Sequence, residues 1–80
     1  MRPRLKLDEL PTSIRLAVNK LMGTLANAQT REQIEREGAI ELGFVFGLET
    51  AQYLRASDIE ALYLAFEDAV QARLQALGDA

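Results

Sequence analysis

Ala39, Gly43, Gly47 and Ala51 recur at every fourth position in the middle of the chain. On an α-helix that spacing makes one continuous ridge almost bare of side chain. Glycine inside a helix costs about 1 kcal/mol against alanine, so Gly43 and Gly47 call for an offsetting gain. The expected gain is a tight helix–helix contact, within the chain or with a second copy. A second row of small residues, Ala61, Ala65 and Ala69, follows after a short break. The two rows predict an all-α fold whose second and third helices form an antiparallel, Ala/Gly-faced hairpin.

The remaining periodicity supplies a first helix. Ile14, Ala17, Val18, Leu21, Leu25 and Ala28 fall at helical three–four spacing, which predicts a helix over about 13–28 with Thr12 or Ser13 as its cap. Leu16 points away from that face. Thr30-Arg31-Glu32-Gln33 is a capping box, in which the Gln33 side chain is expected to return to the Thr30 N–H. It opens a second helix over about 31–54. Ser57-Asp58-Ile59-Glu60 repeats the pattern before a third helix over about 58–77, and Gly78 is placed to end it. The core face of that helix reads Ile59, Leu62, Tyr63, Phe66, Val70, Leu74 and Leu77, with Leu64 off the face. Residues 1–11 form an N-terminal arm before a single helical domain, 12–80. Leu5 and Leu7 alternate with Arg4 and Lys6 there, as in an extended segment with one apolar side.

The second helix is apolar nearly all round. Ile40, Phe44, Leu48 and Ala51 cover one side, Leu42, Phe46 and Tyr53 another, and the Ala39/Gly43/Gly47 ridge lies between them. A helix of that kind is a buried helix, and two short neighbours could hardly cover it. The expectation is therefore dimerisation into a larger bundle. With no cysteine in 80 residues, neither a disulfide nor a thiolate metal site is open to the chain. Oligomerisation is then the common remaining way to enlarge so small a core. Glu41 sits inside this apolar stretch. The preferred placement is a solvent-open strip shared with Ile34 and Gln52, since charged residues are seldom fully buried. A buried Glu41 would need a partner.

The chemistry of catalysis is thinly represented. Histidine and cysteine are absent, and the only serines, Ser13 and Ser57, fall at expected helix caps. No phosphate-loop or dinucleotide motif occurs, and the paired-carboxylate metal site of helical bundles wants a Glu-x-x-His element that this chain lacks. No enzyme activity, metal or cofactor is expected. The longest apolar stretch, Leu42 to Leu48, is far short of the roughly 20 residues of a membrane span. No apolar segment follows the first basic residues as a signal peptide would require. A cytoplasmic location without membrane attachment is the expectation.

Charge is unevenly divided. Residues 1–31 carry six bases and two acids, a balance of +4, and residues 32–80 carry three bases and ten acids, a balance of −7. Arg2, Arg4 and Lys6 could make a basic arm for nucleic acid. The third helix, however, begins Asp58-Ile59-Glu60, which phosphates would repel. Nucleic-acid binding is therefore disfavoured.

By elimination the sequence points to a non-catalytic protein–protein interaction module. The expected role is a small regulator or inhibitor that binds a larger protein machine. Phage- and plasmid-borne regulators, host-defence inhibitors among them, often have this size and make-up. Candidate partner contacts are Leu64, Glu60, Glu67 and Asp68, and the candidate self-contact is the face of the second helix. The alternatives are a dimeric nucleic-acid-associated regulator using the arm, and a structural subunit or assembly chaperone.

Overall fold

The computed structural model describes residues 4–78, so Arg2 of the basic arm lies outside the described residues. The chain forms a short 3-10 turn, Leu7–Glu9, and three α-helices: α1, Thr12–Ala26; α2, Arg31–Thr50; and α3, Ala56–Ala76. No strand occurs among the described residues. The fold is the expected all-α three-helix unit. α2 and α3, joined by a short link, share the most extensive contact, and α1 packs on both.

The arm keeps the expected apolar side, but Leu7–Glu9 turns as a 3-10 helix where the alternation predicts an extended segment. Leu5 and Leu7 pack against the core while Arg4 and Lys6 are exposed, and Leu10 is buried at its end. Helix starts differ from expectation. α1 begins one residue early, with Pro11 at the N-cap position and no side-chain cap, so Thr12 and Ser13 lie inside its first turn. Proline just before a helix has its φ pre-set and lacks only an N–H that would go unpaired there. The Ser57 box is not made: Arg55 stands at the N-cap of α3, and its Nε donates to Asp58 Oδ2 at 3.3 Å. At α2 the cap is as read, with the Gln33 N–H donating to Thr30 Oγ1 at 3.0 Å. The Gln33 side chain reaches one residue further back than expected, accepting from the Gln29 N–H at 2.8 Å.

α2 stops at Thr50, short of 54. The Tyr53 N–H donates to the Leu48 carbonyl and the Gln52 N–H to the Glu49 carbonyl, both at 3.0 Å. Gln52 takes the left-handed conformation, φ 52°, that this closure demands. Gly78, φ 80°, ends α3 as expected.

The core divides into two clusters. One gathers Leu10, Ile14, Val18, Val45, Ile59, Leu62 and Phe66. The other gathers Leu25, Ala28, Ile34 and Leu74. The α1 and α3 faces are those read from periodicity. The Arg73 Nε donates to the Ala28 carbonyl at 2.8 Å, tying the far end of α3 to the end of α1.

The facing of α2 is the main correction. Its buried stripe is Ile34, Glu41 and Val45, each fully shielded from solvent, with Gly38 and Leu48 partly buried beside them. This is the strip expected to face water. The Ala39, Gly43, Gly47 and Ala51 ridge is exposed instead. A Cβ added at Gly43 or Gly47 would meet nothing within 4 Å, so the ridge makes no close contact inside the chain. The close approach is at Gly38, where an added Cβ would lie 3.3 Å from Val70 Cγ2. Leu64 is partly buried, not outward.

Candidate functional site

Two features of α2 stand out, one on each side of the helix. The outward side of its C-terminal half is apolar. Phe46 is 61 % exposed, Leu42 59 % and Ile40 48 %, and they flank the bare Gly43–Gly47 strip. Tyr53 is exposed just past the helix end. Side chains on both flanks of a bare strip make a shallow furrow, a shape that another helix ridge can enter. Within the expected self-contact set the structure makes a division. Ala39, Gly43, Phe46, Gly47, Ala51 and Tyr53 are exposed, whereas Phe44 and Leu48 are partly buried against the chain's own core.

The inward side holds Glu41. Both of its carboxylate oxygens are buried and without a hydrogen-bond partner. Burial, and secondarily the neighbouring Glu37 charge, push its pKa up to about 7 from 4.5. An unpartnered buried carboxylate is costly in its charged form, so Glu41 keeps its proton to higher pH than an exposed carboxyl and is about half protonated at pH 7. Glu41 borders a groove of about 290 Å³ between α2 and α3. Gly38, Leu42 and Val45 line it from α2, and Tyr63, Phe66, Glu67 and Val70 line it from α3. Gly38 and Val70 face each other in it, and a Cβ added at Gly38 would lie 3.3 Å from Val70 Cγ2. No lysine or arginine is among its lining residues.

A wider cleft of about 550 Å³ lies at the α2–α3 connection, lined by Glu49, Gln52, Leu54, Ala56, Ile59, Glu60 and Tyr63. The Tyr63 hydroxyl donates to Glu49 Oε1 at 2.9 Å. Desolvation first, then that bond and the Glu49 charge, raise the Tyr63 pKa.

Of the expected partner contacts on α3, Glu60, Glu67 and Asp68 are exposed. Glu60 and Glu67 border different cavities, at the connection and in the groove respectively. Among the described residues no group of three His, Cys, Asp or Glu is placed to hold a metal ion. No described helix is long and apolar enough to cross a membrane. Val70 belongs to the α3 core face read from spacing, whereas the spacing readings leave out Gly38 and its contact with Val70. The signal for Gly38 was available in the seven-residue spacing of Ile34, Glu41 and Leu48, which marks one helix stripe and carries Gly38 beside it.

Comparison with protein-family models, curated proteins and solved structures gave no match.

Proposed function

We propose that the chain is a non-catalytic protein–protein interaction module, a small regulator or inhibitor of a larger protein, that self-associates through the outward face of α2. The observation that carries the reading is the run of Ile40, Leu42 and Phe46 exposed around the bare Gly43–Gly47 strip. Large apolar side chains grouped on one outward surface mark interaction sites more often than chance placement does. The furrow and its flanks suit the two-fold pairing of identical faces, in which each copy offers both ridge and groove. The exposed carboxylates of α3, Glu60 and Glu67, leave an acidic surface for the larger partner. The missing histidine and cysteine support a role without catalysis.

Light scattering across a dilution series tests the self-association. The expected result is a mass above the 8.9 kDa of one chain that falls on dilution. Phe46→Lys and Gly43→Leu should each hold the chain at single-chain mass with helix content unchanged. A wild-type chain of single-chain mass at every concentration sinks this part of the reading. Capture from a lysate tests the rest. A stoichiometric protein held by wild type and released by a Glu60→Lys/Glu67→Lys variant is expected. A partner held equally by both, or no partner at all, counts against the acidic surface.

A further inference from the structure

We infer that the α2–α3 groove is a receptor for one cationic side chain on an apolar stem, a lysine or arginine presented by a protein partner. This rests on the interaction-module reading and names the chemistry of its partner. Three observations converge on it. The groove walls are apolar, with Leu42, Val45, Phe66 and Val70 in its lining. Glu41 borders it with both carboxylate oxygens buried and unpaired. The charged residues in its lining are both acidic: Glu41 on α2, and Glu67 on α3 across the groove. Tyr63 also lines it, with its hydroxyl already given to Glu49.

A buried carboxylate with no partner leaves a charge-assisted hydrogen bond unmade. A guanidinium or ammonium on an alkyl stem supplies it, laying its methylenes along the apolar wall while the Glu41 side chain, shielded from water in the free chain, turns into the groove to meet the charged head. A neutral apolar guest would leave Glu41 unpaired, and a compact hydrated cation would gain nothing from the walls. An anion would meet two carboxylates, Glu41 and Glu67. The acidic balance of residues 32–80 favours a basic partner in the same sense.

The test uses n-butylguanidinium as the probe and N-butylurea as its neutral isostere, with amide and methyl shifts of the full chain followed by NMR. Saturable binding of n-butylguanidinium is expected, with a Kd of about 10 mM or tighter for a ligand of this size. The largest shifts should fall at the Gly38 amide and the Val45 and Val70 methyls. Binding should be at least about tenfold tighter at pH 8.5 than at pH 5.5, because ionised Glu41 is the acceptor. Glu41→Gln should lose about the same factor. The pH arm needs no variant, so it stands even where Glu41→Gln alters the fold. Equal binding of N-butylurea, shifts scattered over Glu60 and other surface acids, or no saturation overturns the inference. Any of these leaves untouched the dilution experiment and capture by Glu60→Lys alone, a residue outside the groove lining, so failure of the groove is separable from failure of the module.

Discussion

α2 and α3 are of nearly equal length, 20 and 21 residues, and they bury opposite kinds of face. α3 buries Ile59, Ala61, Leu62, Phe66 and Leu74 and turns acids outward. α2 buries Ile34, Val45 and a glutamate while turning Ile40, Leu42 and Phe46 outward. α3 is therefore a helix satisfied by its own chain. α2 carries its larger side chains on the wrong face for a solitary domain. On the proposed self-association, a helix so divided answers two demands, its own core and a second copy's surface.

Truncation on the two helices should break or confirm that contrast with the largest effect. Leu62→Ala or Phe66→Ala removes a side chain from the shared core and should cost about 3–5 kcal/mol, a large part of what so small a domain has. Phe46→Ala, measured dilute enough for the single chain, should change stability by only about 0.5 kcal/mol. Chemical denaturation read by circular dichroism measures each. A large loss at Phe46 in the dilute chain would mean that α2 has no spare face.

Glu41 gives the next effect, and its sign is particular. Its pKa in the folded chain is about 7, above the ordinary 4.5. Below pH 4.5 the carboxyl is protonated in both states and favours neither. As pH rises from 4.5 to 7 the unfolded chain releases the proton while the folded one retains it. Stability is therefore lost across that window and levels off above it, by about 3 kcal/mol in all. Glu41→Gln should remove this dependence, so its advantage over wild type should grow by about that amount between pH 4.5 and 8.5. Parallel urea midpoints at the two pH values would place Glu41 in contact with water.

Much of this was legible in the residues. The three helices, the buried faces of α1 and α3, the Thr30 cap, the Gly78 stop and the apolar side of the arm follow from spacing and side-chain type alone. These are places where local preference and tertiary packing agree. α2 was misread because they disagree there. The large side chains Ile40, Leu42 and Phe46 outweigh Ile34, Glu41 and Val45 on a helical wheel, so apolar weight marks the outward side. The Ser13 and Ser57 caps failed for a smaller reason: each helix began earlier, putting the hydroxyl inside the first turn. Of the site, the exposed ridge was visible as a ridge but not as exposed. The seven-residue stripe of Ile34, Glu41 and Leu48 points to Gly38 as a core-side position, but its 3.3 Å approach to Val70 is set by how two helices pack and not by either helix's own pattern.

The glycines sharpen the same comparison at smaller scale. Gly43 and Gly47 lie in exposed helix interior with open space around them, so Gly43→Ala and Gly47→Ala should each stabilise the dilute chain by about 0.5–1 kcal/mol. Gly38→Ala brings the same helical gain but sets its Cβ 3.3 Å from Val70 Cγ2, so its benefit should be cancelled or reversed. Gln52→Gly relieves a left-handed non-glycine and should gain about 0.5 kcal/mol by itself. Concentration then separates these positions. Gln52 closes the helix end, so its gain should be the same in dilute and concentrated samples. The gains at Gly43 and Gly47 should shrink where the chain associates, because a methyl there stands in the furrow a second helix would enter. Thermal midpoints across a concentration series read both. If the gains at Gly43 and Gly47 hold unchanged up the series, the bare strip is not a contact.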